Sequence, residues 1–220
     1  VTGRNVHAPA FESRPLRVLA LHQSPTMLEI LTVINKKSHN LYAEAVLRSV
    51  GRVATGEGSV RGGSHAIHEM LRREAGLDTI ALQMFDGSGL SVLNRVSARA
   101  ITHLLAYMAR SPMWPSYWET LPEAGDPRGL RRMHQTPAVG NLRAKTGTIN
   151  YVSALSGYVR AANGEWIAFA IISNDVPSTW RAKRVEDAIG VRLARFTRPL
   201  PTQRLAAGGA TSPGVATQGA

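Results

Sequence analysis

Cysteine is absent from the 220 residues. The protein therefore has no disulfide, no thiolate metal site and no cysteine nucleophile. Apolar runs of 18 or more residues are also absent, so the sequence predicts no transmembrane segment. No histidines have a metal-ligand spacing such as His-Glu-x-x-His. We therefore predict neither a metal site nor a cofactor.

Positive charge is abundant, but lysine is scarce. The net charge is +11, and lysine occurs only at Lys36, Lys37, Lys145 and Lys183. The arginines are scattered, and no interleaving of basic and aromatic residues indicates a platform for stacking nucleic-acid bases. We therefore predict no nucleic-acid partner. Two interpretations of the charge remain open: a solvated basic surface, or attraction to an acidic cell-wall polymer.

Helical patterns dominate the first half of the chain. The apolar spacing predicts two helices between residues 24 and 50, the first capped by Ser24 with Pro25 and the second capped by Ser38. Five glycines predict a loop over residues 51–63. Further predictions are a helix capped by Ser64, a short strand or extended segment from Ile80 to Phe85, a helix capped by Ser97, and a short helix near Tyr117.

Strand patterns dominate the second half. Residues 142–148, 152–161 and 166–173 predict an antiparallel meander, with a turn near Asn150 and a hairpin turn at Asn163-Gly164. Ser178 is predicted to cap a last helix that covers one face of the sheet. The predicted fold class is thus α/β (α+β), an antiparallel sheet flanked by helices. Residues 199–220 lack periodicity and predict a disordered tail.

Two tripeptides carry residues suited to catalysis, Ser38-His39-Asn40 and Lys145-Thr146-Gly147. Alone, each has a structural interpretation: Ser38 as a helix cap beside a solvated Asn40, and Lys145 as an exposed strand lysine. Their order is more specific. Ser-x-x-Lys, Ser-Asp-Asn and Lys-Thr-Gly together form the signature of penicillin-binding proteins and class A β-lactamases.

Longer stretches around these tripeptides resemble the D-alanyl-D-alanine carboxypeptidase/endopeptidase family, of the DacB-like, penicillin-binding protein 4 type. The stretches are Ile34 to Glu44, Asp86 to Ser91 with Asn94 to Ser97, Ala144 to Ile149, and Val152 to Tyr158. The resemblance covers residues 18–196 and implies a penicillin-binding/β-lactamase-like transpeptidase fold, incomplete at its N-terminal side. It implies that residues 1–22 are a remnant of an accessory region, with an apolar run from Leu16 to Leu21 that could be one strand. Residues 23–198 would be the C-terminal part of the transpeptidase-like domain.

The resemblance implies a serine-type D-Ala-D-Ala carboxypeptidase or endopeptidase that acts on peptidoglycan stem peptides through an acyl-enzyme. β-Lactam antibiotics would be trapped at the acyl stage. Such a substrate places the protein in the periplasm or another extracytoplasmic space. Catalytic roles are implied for Ser38, Asn40 and Lys145. Ser38 would relay a proton to the leaving amine, and Asn40 would hold the substrate amide.

Four residues of the Lys-Thr-Gly region are implied to bind substrate. Lys145, Thr146 and Thr148 would bind the terminal carboxylate, and Gly147 would let the substrate backbone approach the strand. The Thr148 backbone N–H would be an oxyanion-hole donor. Asp86 and Ser88 are candidates for lining the cleft, although a turn closed by an Asx hydrogen bond explains them equally well.

One part of the family signature is missing, because none of the serines in these 220 residues begins a Ser-x-x-Lys tetrapeptide. We expect the chain as it stands not to be acylated by a penicillin. One explanation is a partial sequence whose nucleophile lies upstream. The other is a non-catalytic peptidoglycan-binding or regulatory homologue. A related β-lactamase or esterase is a third hypothesis, which the Asp86–Gly89 stretch disfavours. The residues do not distinguish carboxypeptidase from endopeptidase activity.

Overall fold

The computed structural model describes residues 20–80 and 82–199. The predictions made for residues 1–19 and 200–220, including most of the strand from Leu16 to Leu21 and nearly all of the disordered tail, lie outside the described residues. The described part contains six helices and three strands. In chain order they are α1 (Met27–Lys37), α2 (Asn40–Thr55), α3 (Val60–Arg73), α4 (Ala98–Met108), α5 (Trp114–Thr120), β1 (Leu142–Ile149), β2 (Val152–Arg160), β3 (Trp166–Ser173) and α6 (Thr179–Ala194). No helix in these ranges is long and apolar enough to cross a membrane.

Helix α1 begins two residues later than predicted. Thr26, not Ser24, is the N-cap, and its hydroxyl accepts a hydrogen bond from the Glu29 backbone N–H while the Glu29 carboxylate accepts one from Thr26 N. This reciprocal pair is a capping box. The sequence contains this Thr-x-x-Glu pattern, but Ser24 followed by Pro25 is also a favourable helix start and predicts the earlier cap.

Most of the glycine-rich stretch is helical rather than a loop. Helix α2 continues to Thr55, and α3 begins after the N-cap Ser59, five residues before the predicted cap Ser64. The glycines allow α2 and α3 to pack closely where they cross, because a Cβ on Gly51 would lie 2.5 Å from the Gly63 backbone nitrogen. Glycine is therefore required by close packing here, and the loop prediction was wrong.

Of the two alternatives predicted from Ile80 to Phe85, the extended segment fits residues 82–85, which form no regular strand. Only an isolated antiparallel bridge joins Gln83 to Arg95, through hydrogen bonds in both directions. The segment is apolar, but among the described residues no neighbouring strand extends the pairing. Helix α4, by contrast, has the predicted N-cap, Ser97. The short helix near Tyr117 is confirmed as α5.

The three strands form the predicted antiparallel meander in the order β1-β2-β3. Lys145 lies opposite Ser156, and Thr148 lies opposite Ser153. Ser156 in turn lies opposite Ala170. Asn150 and Tyr151 make the turn between β1 and β2, where Tyr151 adopts a positive φ of 60°.

Helices cover both faces of this sheet. Helix α6, capped by Ser178 as predicted, packs on β2. It buries a cluster in which Leu142, Ala144, Leu155 and Val159 are all 0% exposed. On the opposite face α4 packs on β3, and the buried Tyr158 donates a hydrogen bond to the Leu105 carbonyl. The strand that carries Lys145 is therefore held within a three-layered, well-packed unit.

Candidate functional site

The two tripeptides predicted from the sequence meet in the folded chain. The Lys145 ammonium donates a hydrogen bond to the Ser38 hydroxyl at 2.5 Å and another to the Thr146 carbonyl at 2.8 Å. Ser38 and Lys145 lie 107 positions apart in sequence. This contact joins the turn between α1 and α2 to β1, and it defines the centre of the candidate site.

The environment of Lys145 leaves its charge available to a ligand. None of the ion pairs in residues 20–80 and 82–199 includes Lys145. Burial lowers the pKa of Lys145 below its ordinary value, because removing water disfavours the charged form. An anionic group beside the ammonium would favour the charged form. Lys145 is therefore suited both to binding a carboxylate and to exchanging a proton with Ser38.

Ser38 ends one helix instead of starting the next. It is the C-cap of α1, in the left-handed region at φ 53° and ψ 49°, and His39 is the N-cap of α2. The His39 Nδ1 accepts a hydrogen bond from the Tyr42 backbone N–H at 3.3 Å. The prediction that Ser38 caps the second helix was therefore wrong. Because His39 performs that task, the Ser38 hydroxyl is left to contact Lys145.

Asn40 is the first residue of α2 and is exposed. It follows Ser38 by two positions, across the sharp turn that the positive φ of Ser38 creates. Ser38 and Asn40 therefore both lie at the junction between α1 and α2.

The end of β1 has an open outer edge. The segment before it pairs with the first half of the strand: Ala124 N donates to the Leu142 carbonyl, and Ala144 N donates to the Pro122 carbonyl, both at 2.9 Å. Among the described residues this pairing does not continue beyond Ala144. Alternate residues of an antiparallel strand direct their backbone groups to the same side. The N–H groups of Thr146 and Thr148 therefore face the same side as that of Ala144, which is the open edge.

Exposure increases along this open edge. Thr146 is half-buried, while Gly147 and Thr148 are exposed. Thr148 also borders a groove of about 550 Å³ whose wall includes Asn150, Tyr151 and Ser178. An unpaired edge of this kind can accept an extended peptide as an additional strand. The arrangement offers a peptide backbone two N–H donors, two threonine hydroxyls and a nearby ammonium.

The Asp86 carboxylate is occupied within its own loop. It accepts hydrogen bonds from the backbone N–H groups of Gly89 at 2.8 Å and Ser91 at 2.6 Å, and from the Asn94 side chain at 2.8 Å. Burial alone would raise the pKa of Asp86, but these donors together lower it. The turn interpretation accounts for Asp86. The cleft-lining role of Asp86 and Ser88 remains a prediction.

Two polar residues near the site were not singled out from the sequence. Asn35 on α1 donates a hydrogen bond to the buried Thr120 hydroxyl at 2.7 Å, across 85 positions. The Glu44 carboxylate contacts the Asp86–Gly89 loop. The only local signal for Glu44 is its place one turn after Asn40, since long-range partners leave no mark in a single sequence. The described residues contain no cluster of three or more potential metal ligands.

Comparisons with known proteins agree with the predicted resemblance. Residues 5–196 match the family described as D-Ala-D-Ala carboxypeptidase 3 (S13). The chain is 40% identical over 186 residues to a D-alanyl-D-alanine carboxypeptidase of an Actinomadura species, covering 81% of this chain and 34% of that protein. It is 32% identical over 166 residues to carboxypeptidase DacB of Mycolicibacterium smegmatis, covering 72% of this chain and 36% of that protein.

A solved structure shows the same fold. Penicillin binding protein 4 (dacB) from Haemophilus influenzae, crystallised with a β-lactam, superposes with a TM-score of 0.67 at 27% identity, over 76% of this chain and 41% of that one. The predicted fold class is therefore confirmed. The chain spans about a third of the length of these curated relatives.

Proposed function

Because the chain belongs to the D-Ala-D-Ala carboxypeptidase 3 (S13) family, we propose that it forms the substrate-binding part of a serine-type D-Ala-D-Ala carboxypeptidase or endopeptidase. The substrates would be peptidoglycan stem peptides, outside the cytoplasmic membrane. The contact between Lys145 and Ser38 carries this proposal. It brings together the second and third motifs of the family signature, which are distant in the sequence.

In this proposal the terminal D-Ala carboxylate of the substrate binds at the end of β1. Lys145 supplies the positive charge, and the hydroxyls of Thr146 and Thr148 supply hydrogen bonds. Gly147 has no side chain to obstruct an approaching backbone. The Thr148 N–H, on the open edge, donates to the oxyanion that forms when the scissile carbonyl is attacked.

Ser38 and Asn40, at the junction of α1 and α2, transfer a proton and orient the substrate. Ser38 gives its own hydroxyl proton to the leaving D-Ala amine and takes up the proton released by the attacking serine, so the hydroxyl is regenerated. Lys145 stabilises the partial negative charge on the Ser38 oxygen as its proton leaves. Asn40 holds the substrate amide. Water then hydrolyses the acyl-enzyme and regenerates the serine. β-Lactams would acylate the same serine and persist there.

The attacking serine is proposed to come from outside these 220 residues, since they contain no Ser-x-x-Lys. Residues 23–198 would then be the C-terminal part of the transpeptidase-like domain. This accounts for the chain matching only about a third of each curated relative. Reading the coding sequence upstream of Val1 tests the point. A Ser-x-x-Lys there supports a catalytic protein, and an open reading frame that starts near Val1 supports the non-catalytic homologue.

Substrate binding can be tested on the chain itself. In a chemical-shift titration with a tripeptide ending in D-Ala-D-Ala, we expect shifts at Thr146, Gly147 and Thr148. Lys145→Met should abolish them, while Lys183→Met on α6 should not. Saturable binding that is insensitive to Lys145→Met, or equal binding of an L-Ala-L-Ala peptide, would contradict the proposed site. The chain should remain unlabelled by a fluorescent penicillin.

A further inference from the structure

One acidic side chain, Glu44, joins helix α2, which carries Asn40, to the Asp86–Gly89 loop. The Glu44 Oε1 accepts hydrogen bonds from the backbone N–H groups of Gly87 at 3.0 Å and Ser88 at 3.1 Å. The other oxygen, Oε2, accepts one from the Arg48 guanidinium at 2.7 Å. Both oxygens of the carboxylate are therefore engaged, and their geometry is set from two sides.

The loop also touches the backbone of α2 directly. A Cβ on Gly87 would lie 2.6 Å from the Ala43 carbonyl oxygen and 3.0 Å from the Leu47 Cβ. Only glycine permits this approach. This close contact with α2 keeps the loop from shifting toward the helix. The two hydrogen bonds from the loop to Glu44 keep it from moving away.

The loop is stiff by itself, which makes the Glu44 contact effective. Asp86 closes the loop by accepting hydrogen bonds from Gly89, Ser91 and Asn94. A closed loop of this kind moves as one body. Holding the N–H groups of Gly87 and Ser88 therefore holds the whole segment.

Asn40 and Glu44 lie four residues apart in α2 and so occupy the same face of that helix. We propose that Glu44 is a positioning residue, which holds the Asp86–Gly89 loop at a set distance from Asn40 so that the two contact one substrate peptide together. This inference rests on the proposed function, because Asn40 is assigned there to the substrate amide. Glu44 itself would not touch the substrate.

Two variants of Glu44 separate the contributions of its hydrogen bonds and its charge. Glu44→Ala removes the acceptor for both loop amides, whereas Glu44→Gln retains an oxygen at a similar position. Glu69→Ala is the matched control, because Glu69 pairs with Arg72 on α3 and, among the described residues, makes no hydrogen bond to the loop. All three are made in the full 220-residue chain.

Amide hydrogen exchange at Gly87 and Ser88 measures the link between loop and helix. We expect exchange about 10-fold or more faster in Glu44→Ala, the factor for losing a charge-assisted hydrogen bond. Partial recovery is expected in Glu44→Gln, and no change in Glu69→Ala. Unchanged exchange in Glu44→Ala would overturn the inference.

Binding of the D-Ala-D-Ala tripeptide then distinguishes positioning from simple bracing. At a temperature where all variants are folded, we expect Glu44→Ala to weaken the tripeptide Kd several-fold and to reduce the peptide-induced shift of the Asn40 side-chain amide. Glu44→Gln should restore most of both. Faster amide exchange in Glu44→Ala with an unchanged tripeptide Kd and an unchanged Asn40 shift would overturn the positioning role. Glu44 would then only stabilise the loop.

The control titration of the unmodified chain separates this inference from the proposed function. If the unmodified chain shows no Lys145-dependent binding, the proposed function fails. The positioning role then fails with it, even if the loop exchange responds to Glu44→Ala. If the unmodified chain binds the tripeptide and the Glu44 variants bind it equally well, the inference fails and the proposed function stands.

Discussion

The two walls of the candidate site are held in different ways. The strand wall, which carries Lys145, lies in a layered unit where four apolar side chains of β1 and β2 are 0% exposed. The helical wall, which carries Ser38 and Asn40, is much less buried: α1 has no buried residue, and α2 has only Leu47 and Gly51. One wall rests on a hydrophobic core, and the other lies near the surface.

Besides the close packing of α2 on α3, a few polar links across long stretches of sequence tie the helical wall to the rest of the chain. They are the Asn35–Thr120 hydrogen bond, the Lys145–Ser38 contact and the Glu44 link to the loop. A typical hydrogen bond contributes only about 0.5–1.5 kcal/mol net, whereas burying one large apolar side chain contributes about 1.5–3 kcal/mol. The strand wall should therefore be fixed in place, and the helical wall should be able to move relative to it.

The largest effect is expected at a buried charge in the strand wall. Glu186 on α6 is 1% exposed, and its carboxylate accepts hydrogen bonds from Ser153 at 2.6 Å and Arg132 at 3.0 Å. Glu186→Ala should lower the free energy of unfolding by about 3–5 kcal/mol. It leaves the Ser153 hydroxyl without its acceptor, and it leaves Arg132 with only an ion pair to Asp187 at 3.1 Å that makes no hydrogen bond. Urea denaturation measures the change.

Glu186→Gln provides the matched control, since it retains an acceptor for Ser153 but removes the charge and the acceptor oxygen that faces Arg132. We expect a smaller loss than for Glu186→Ala. Equal losses in the two variants would show that the interaction of Glu186 with Arg132, rather than with Ser153, stabilises the wall. A negligible loss in both would remove the contrast between the walls.

The next effect is expected in the apolar core of the same wall. Leu155→Ala should cost about 2–5 kcal/mol, through lost burial and the cavity left behind. Leu41→Ala on α2, where the side chain is 71% exposed, is the control and should change stability by less than about 0.5 kcal/mol. If the two substitutions cost the same in urea denaturation, the helical wall is better packed than its exposure indicates.

Local patterns recovered the strand wall well. Alternation of apolar residues located β1, β2 and β3, and the capping rule located Ser178 before α6, because the hairpin and the helix start depend on neighbours in sequence. Local patterns therefore predict correctly that the Lys-Thr-Gly segment lies on a strand, β1.

The helical wall was recovered less accurately, for physical reasons. Capping preferences favour serine and so predict Ser38 as the N-cap of α2, whereas in the structure His39 is that cap and the Ser38 hydroxyl contacts Lys145. The glycines of residues 51–63 predict a loop, because the sequence does not show that α2 and α3 pack on each other through them. Contacts such as Asn35–Thr120 join residues 85 positions apart, and no local sequence pattern predicts such a pair.

The smallest effect should come from the link between the two walls. Asn35→Ala removes the hydrogen bond from α1 to Thr120, whose hydroxyl is itself buried and already donates to the Tyr117 carbonyl at 2.7 Å. Because Thr120 keeps that partner, the cost should be only about 1 kcal/mol. The more telling readout is local: amide exchange should accelerate in α1 and leave β1, β2 and β3 unchanged. Acceleration in both walls would mean that they unfold as one unit, and the site would then have no wall that moves independently.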